Sequence, residues 1–216
     1  REAWWQFGTV TPALNQAKEP LTHVLAIARI SDSFAVARLP SSIVFNEKTL
    51  VFPFQGYSEF CIIQCRVHDS WARFFGSTLK DDFQYTPSDC FETFPFPEGL
   101  TPNLKPEQYT NPHTADIAAA AKRLNELREN WLNPPELVDR VPEVVPGYPD
   151  RVIAKNAAAA ADLKKRTLTN LYNERPAWLD LAHQKLAATV FAAYGWPPTL
   201  EGDDLLVTEG ARQSRW

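Results

Sequence analysis

The chain has 216 residues, 44% of them hydrophobic, and a formal charge of −4 from 22 basic and 26 acidic side chains. No apolar run is long enough for a membrane-spanning helix, and the overall charge lacks the excess of Lys and Arg that is typical of nucleic-acid-binding proteins. Three cysteines, an odd number, fit a reducing compartment better than a disulfide framework, so we expect a cytoplasmic protein with no membrane partner. Because the chain begins at Arg1 and contains no methionine, we interpret it as part of a longer polypeptide.

Residues 22–52 predict short β-strands. The stretches "THVLAIARI", "SFAVARL", "SSIVF" and "TLVFPF" are rich in Val, Ile, Leu and Phe and are separated by polar turn residues. This pattern favours a small antiparallel meander.

A helix is predicted after the strands. From Ser58 onwards, apolar residues recur at spacings of three and four, which is the pattern of one helical face. They are Phe60, Ile63, Val67, Trp71 and Phe74. The helix is expected to end at Gly76 and to cover one face of the meander.

The stretch "YTPSDCFETFPFPEGL", residues 85–100, follows a polar link and is dense in aromatic residues and proline. Proline has no backbone N–H to donate, so this stretch can form neither a long helix nor a continuous strand. It is therefore expected to be ordered by its aromatic side chains.

The second half of the chain predicts helices. Residues 101–114 are proline-rich and read as a linker, and helices are predicted at 115–132, 156–172 and 176–194. The intervening "NPPELVDRVPEVVPGYPD" is predicted to be extended and irregular. The fold class is therefore α+β, with domains at 1–100 and 115–216.

Cys61, Cys65 and His68 lie along one face of the predicted helix and, with Cys90, have the residue types of a zinc site. The paired C-x2-C spacing of structural zinc sites is absent, and buried cysteines often complete an apolar stripe. Core packing is therefore the preferred interpretation, and no metal is expected.

Two further patterns resemble parts of catalytic motifs but are incomplete. "NPPE", Asn133 to Glu136, lacks the aromatic residue that stacks on a flipped base in amino-group methyltransferases, and is better explained as a helix stop. Asp150 and Lys155 lack the second carboxylate of a nuclease metal site. The sequence therefore predicts no catalytic residues in this chain.

Several long segments together resemble one known family. They are "WWQFG" at 4–8, "RIS" at 29–31, the run from Val51 to Pro97, and "LTNLYNERPAWLDLAHQKLAATVFAAYGWP" at 168–197. This combination is similar to the target-recognition region and C-terminal helical domain of MmeI-like adenine-specific DNA methyltransferases, which include restriction-modification proteins of types IIG and IIL.

The resemblance implies that residues 1–100 read a DNA sequence and that the partners are double-stranded DNA and an upstream methyltransferase domain of the same parent chain. That domain would use S-adenosylmethionine to methylate adenine N6, so no cofactor is expected in this chain. The sequence departs from the family in two places, namely "DSF" after "RIS", where a basic pair is frequent, and the tail "TEGARQSRW".

With this family in mind, seven residues are predicted to contact DNA. Arg and small polar side chains at strand ends suit base-edge or phosphate contact. The seven are Arg29, Ser31, Arg38, Lys80, Tyr85, Thr86 and Ser88. Within 85–100, Phe91, Phe94 and Phe96 are predicted to anchor the backbone, while Pro87, Pro95 and Pro97 restrict it.

An interaction module is the alternative. A surface of aromatic and proline residues followed by helical hairpins is equally suited to docking another protein domain, and the balanced charge favours it.

Overall fold

The computed structural model describes residues 12–79, 82–145 and 147–197 and confirms the α+β class. Its helices are α1 (Pro12–Lys18), α2 (Tyr57–Gln64), α3 (Arg66–Phe75), α4 (Pro87–Cys90), α5 (Thr114–Leu132), α6 (Ala157–Leu163), α7 (Leu168–Glu174) and α8 (Ala177–Tyr194). Its strands are β1 (His23–Ala28), β2 (Ala37–Pro40), β3 (Thr49–Phe52), β4 (Ser77–Leu79), β5 (Asp82–Gln84), β6 (Val138–Val141) and β7 (Arg151–Ala154). A 3-10 turn spans Pro106–Gln108.

The three-stranded sheet has the order β2-β1-β3, with both neighbours antiparallel to β1. A meander would place β2 in the centre, so the predicted strand order is corrected. The physical reason is burial: four consecutive residues of β1, Val24 to Ile27, are buried, and a central position pairs both edges of the most apolar strand.

The single helix predicted from Ser58 to Gly76 is two helices, α2 and α3. Cys65 separates them with extended backbone angles, φ −66° and ψ 151°. Its N–H bonds the carbonyl of Ile62 at the end of α2, and its own carbonyl accepts from Asp69 in α3. The break changes the direction of the chain, so α2 is buried along nearly its whole length while α3 has one buried face.

The predicted helices at 115–132 and 176–194 are confirmed as α5 and α8, and α8 ends at Gly195 with a left-handed φ of 71°. The predicted helix at 156–172 is divided into α6 and α7. Thr167 causes the second start, because its side chain accepts a hydrogen bond from the backbone of Asn170.

The segment predicted to be irregular after α5 contains a strand. β6 pairs with β7 in an antiparallel hairpin, so the prediction is wrong for Val138–Val141. The prolines at 134, 135 and 142 flank this strand rather than interrupt it, which leaves its N–H groups available for pairing.

One hydrophobic core runs from the sheet through α2 and α3 to the C-terminal helices. It contains Leu25 of β1, Phe60 of α2, Leu124 of α5 and Leu186 of α8. Helix α5 packs against both α2 and α8. The predicted division at 101–114 stays a prediction, and the two sides of that segment share this core.

Within the described part of the chain, none of the helices has the combination of length and apolar character required to cross a membrane.

Candidate nucleic-acid interface

The end of β1 is joined to residues 83–85 by backbone hydrogen bonds. The N–H of Ser31 donates to the carbonyl of Phe83 (3.1 Å), and the N–H of Tyr85 donates to the carbonyl of Arg29 (2.9 Å). Ile30 and Gln84 form an antiparallel bridge between these bonds. Arg29 and Ser31 therefore lie beside the stretch that leads into Thr86, which brings three of the predicted DNA contacts to one edge.

The side chains at this edge differ in their freedom. Arg29 is exposed, and the hydroxyl of Ser31 accepts a hydrogen bond from the backbone of Ser33 (3.2 Å). Thr86 immediately precedes α4, and its carbonyl accepts from the N–H groups of Asp89 and Cys90 in that helix. An exposed arginine on a backbone fixed in this way can reach a phosphate or a base edge with little loss of chain entropy.

Ser88 lies two residues after Thr86 and is exposed. Its hydroxyl donates to the carboxylate of Asp89 (3.1 Å). The neighbouring negative charge makes Ser88 a poorer partner for a phosphate than Thr86.

Tyr85 is a core residue, which corrects the prediction that its side chain faces DNA. It is 1% exposed, its ring stacks on that of His68, and its hydroxyl shares a 2.8 Å hydrogen bond with His68 Nε2. Burial raises the pKa of Tyr85 and lowers that of His68 to about 3, so both groups are neutral at physiological pH.

Arg38 lies away from this edge. It pairs with Leu25, four residues before Arg29 on β1, which places it about 13 Å along the strand. Its Nε donates to the carbonyl of Gln55 (3.0 Å), and its guanidinium lies 4.9 Å from the centre of the Tyr57 ring. Lys80, the remaining predicted contact, lies outside the described residues.

The connection from β1 to β2, residues 29–36, is called the β1–β2 loop below. Side chains of other elements hold its backbone. Arg73 Nη2 of α3 donates to the carbonyl of Asp32 (3.0 Å). Gln64 of α2 donates from Nε2 to the carbonyl of Phe34 (2.9 Å) and accepts at Oε1 from the N–H of Val36 (2.7 Å).

Arg128 of α5 completes this arrangement. Nη1 donates to the carbonyl of Val36 (2.7 Å) and Nη2 to Gln64 Oε1 (2.8 Å). The guanidinium lies 5.6 Å from the ring centre of Phe60 and 5.0 Å from that of Tyr172. Arg128 is 4% exposed, and burial lowers its pKa to about 9, so it is still a cation at pH 7.

Sequence reasoning missed Gln64 and Arg128. For Arg128 a signal exists: with Ile117, Ala121 and Leu124 it completes a helical stripe spaced by four, three and four, so a charged residue occupies an apolar position. Gln64 carries no comparable signal in the sequence.

A cleft of about 700 Å³ lies between the β1–β2 loop, α3 and the helices α7 and α8. Asp32, Arg66, Arg73, Arg175, Asp180 and His183 contribute to its wall. Arg73 pairs with Asp69 (2.7 Å), Arg175 pairs with Asp180 (2.6 Å), and the guanidinium of Arg66 lies 4.6 Å from the ring centre of Phe191. These pairs reduce the positive charge that the cleft offers to an anionic ligand.

Residues 85–100 are anchored through their aromatic rings, as predicted. The ring centre of Phe91 lies 5.2 Å from that of Phe52 in β3, and Phe94 lies 4.4 Å from His68 in α3. Phe96 lies 5.0 Å from Phe94. The segment is therefore attached to both the sheet and α3, which fixes the position of Thr86 at its start.

The residues considered for zinc each have other partners. Cys61 Sγ contacts Thr189 Oγ1 at 4.0 Å, Cys90 Sγ contacts the carbonyl of Ala72 at 3.5 Å, and His68 is bonded to Tyr85. All three cysteines are buried, and burial raises the pKa of Cys65 to about 12. The described residues contain no cluster of three or more potential metal ligands.

The "NPPE" stretch ends a helix, as predicted. Asn133 follows the last residue of α5, and its N–H donates to the carbonyl of Glu129 (2.8 Å). This position explains the stretch without a role in base binding.

Comparison with known proteins connects these observations. Residues 15–98 match the family model described as MmeI, target recognition domain. The fold is similar to that of the type IIL restriction-modification enzyme MmeI in complex with DNA, with a TM-score of 0.63 and 19% sequence identity. The match covers 91% of this chain but 21% of that enzyme, so the chain spans about a fifth of its length. No curated protein matches the chain. Residues 15–98 are therefore an MmeI-like target recognition domain.

Proposed function

We propose that this chain is the part of a restriction-modification enzyme that recognises a DNA sequence, and that Arg29, Ser31 and Thr86 form the centre of the contact surface. The observation that carries the proposal is the match of residues 15–98 to the MmeI target recognition domain. Further support comes from the hydrogen bonds that join the backbone of Arg29 and Ser31 to residues 83–85.

Arginine suits the proposed role because its planar fork can donate two hydrogen bonds to O6 and N7 of guanine in the major groove. A serine or threonine hydroxyl can bond a base edge or a phosphate. Since the chain carries a formal charge of −4, binding by this chain alone is expected to be weak and to fall steeply with added salt.

The parent enzyme is proposed to be cytoplasmic and to methylate adenine N6 with S-adenosylmethionine, through a domain upstream of Arg1. This part of the proposal rests on the family resemblance of the sequence. Sequencing the reading frame upstream of Arg1 tests it. A glycine-rich cofactor loop followed by Asn-Pro-Pro-Tyr or Asn-Pro-Pro-Phe supports the proposal, and a stop codon or an unrelated domain contradicts it.

DNA recognition is tested by selecting duplexes with a randomised core on the 216-residue chain at low salt, followed by electrophoretic binding assays. Arg29→Ala is expected to weaken binding to the selected duplex by about tenfold or more, as for loss of one good base contact. Arg123→Ala is the matched control, because Arg123 is an exposed arginine on α5 whose ion pair lies on that same helix. Enrichment of no sequence, or equal losses in the two variants, would overturn the proposal.

A docking role for another protein domain is the second candidate. It is favoured by exposed apolar side chains at the end of α3 and in β4, where Phe74 is 64% and Leu79 50% exposed. A chain that binds no duplex but forms a stable complex with the upstream domain would support this reading.

A further inference from the structure

We propose that Gln64 and Arg128 are positioning residues that determine how the β1–β2 loop presents Arg29 and Ser31 to DNA. The inference rests on the proposed function and extends it, because it assigns part of sequence recognition to a helix outside residues 15–98.

The side-chain amide of Gln64 holds the loop as a peptide group of a paired strand would, by donating one hydrogen bond to its backbone and accepting another. Its Nε2 donates to the carbonyl of Phe34 while its Oε1 accepts from the N–H of Val36, so two backbone groups two residues apart are held by one side chain. Gln64 is buried, as are Phe34 and Val36, and a misplaced loop would leave these polar groups without partners.

Arg128 adds two further hydrogen bonds to those of Gln64. Its two terminal nitrogens reach the carbonyl of Val36 and Gln64 Oε1 at the same time. The flat guanidinium also lies over the rings of Phe60 and Tyr172. A lysine has one compact ammonium and cannot satisfy the two acceptors in this planar arrangement.

The energetics of Arg128 point to positioning rather than to general stability. Its charge is buried, it donates to two neutral oxygens, and its Nε is buried without a hydrogen-bond partner. Removing such a charge relieves its desolvation, which offsets much of the loss of its two hydrogen bonds. The main effect of its removal is therefore expected in the β1–β2 loop.

The loop connects this buried arrangement to the exposed edge. Val36 and Phe34 are held by Gln64 and Arg128, Asp32 is held by Arg73, and Arg29 and Ser31 are bonded to residues 83–85. Releasing the buried end lets residues 32–36 move, including the Ser33 N–H that holds the Ser31 hydroxyl, so the side chains of Arg29 and Ser31 are expected to lose part of their defined direction. Base contacts depend on that direction more than phosphate contacts do.

The test compares Arg128→Met with Arg123→Met, a change of the same side chain on the exposed face of the same helix. Two quantities are measured on the 216-residue chain: hydrogen exchange of the Val36 amide, and the ratio of affinities for the selected duplex and a scrambled duplex of equal length. Arg128→Met is expected to speed exchange at Val36 and to lower the affinity ratio, each by about tenfold relative to the control. Arg128→Lys is expected to restore part of both.

Each outcome decides between the two proposals. A wild-type chain that prefers no duplex overturns the proposed function and this inference together. A wild-type chain that discriminates, with an unchanged ratio in Arg128→Met, overturns the inference and leaves the proposed function standing. Equal weakening for both duplexes, together with a lower unfolding midpoint, would mean a purely structural role and would also overturn it.

Gln64→Glu provides a second variant if Arg128→Met does not fold. The glutamate retains an acceptor for the N–H of Val36 and a partner for Arg128, but places an acceptor against the carbonyl of Phe34. It is expected to lower the affinity ratio by about tenfold while the chain stays folded. An unchanged ratio in this folded variant contradicts the inference.

Discussion

The β1–β2 loop and the β6–β7 loop, residues 142–150, both join antiparallel strands, yet the protein orders them very differently. The first inserts Phe34 and Val36 into the core and is held by Gln64, Arg73 and Arg128. In the second, Val144 is 85% and Tyr148 50% exposed.

This difference shows that local stiffness and tertiary anchoring are separate properties. The β6–β7 loop is the richer in proline and was predicted to be extended and irregular, and the side chains of Val144, Val145 and Tyr148 are exposed to solvent. The β1–β2 loop contains no proline and receives its order from residues up to 92 positions away. Defined base contacts need tertiary anchoring rather than local stiffness. Four experiments examine this contrast between the two loops.

The largest effect is expected for Phe34→Ala, compared with Tyr148→Ala. Removing a buried phenylalanine from a packed core costs about 3–5 kcal/mol, whereas truncating a half-exposed tyrosine changes stability by about 0.5 kcal/mol. Urea unfolding of both variants measures the difference. Similar losses would mean that the two loops are anchored equally.

Gln64→Leu is expected to cost about 3 kcal/mol in the free energy of unfolding. The change removes the partners of the Val36 N–H and the Phe34 carbonyl and leaves Arg128 with fewer acceptors, all in a buried site. Gln184→Leu, at an exposed position of α8, is the control and should change stability little. A loss no greater than in the control would show that the buried bonds do not hold the loop.

Acid is expected to loosen the β1–β2 loop before the β6–β7 loop. Burial lowers the pKa of His68 and of His183 to about 3, with Arg128 and Arg175 adding to the effect on His183. A depressed pKa means that stability is complete above the unfolded-state pKa of about 6.5 and is lost as pH falls towards 3. In that window His68 alone accounts for about 1.4 kcal/mol per pH unit.

The ring centres of His68 and Phe34 lie 5.9 Å apart, so protonation of His68 places a charge next to a buried side chain of the β1–β2 loop. Hydrogen exchange at pH 7 and pH 5 should therefore show faster opening at Val36, with little change at Tyr148 beyond the intrinsic effect of pH. Equal free energies of unfolding at the two pH values would contradict this prediction.

The smallest effect is expected for Arg140→Ala in the hairpin that carries the β6–β7 loop. Arg140 pairs with Glu129 of α5, and both side chains are more than 40% exposed. Exposed ion pairs contribute about 0.2–1 kcal/mol and weaken with salt. Thermal unfolding at low and high salt measures this, and a loss as large as that of Gln64→Leu would remove the contrast between the loops.

Features that depend on neighbouring residues were predicted from the sequence, and features that depend on distant residues were not. Helices α5 and α8 were predicted to within one residue, since an apolar stripe and a terminal signal lie within each segment. The break at Cys65 and the hairpin of β6 and β7 were missed, because an extended residue between two helices and the pairing of separated strands depend on tertiary packing. The same limit affected the site: Arg29 and Ser31 were placed together at a strand end, but Tyr85 was not recognised as a core residue.

The sequence by itself determined the α+β class, the positions of the long helices, the anchoring role of Phe91, Phe94 and Phe96, and the family that residues 15–98 resemble. These follow from periodicity and from long matching segments, which are properties of neighbouring residues. Only the tertiary structure decided the central position of β1, the burial of Tyr85 against His68, and the joining of Gln64 and Arg128 to the β1–β2 loop. Those features depend on which groups, distant in the sequence, pack together and hydrogen-bond in the water-free interior. No spacing rule along the chain specifies these pairs.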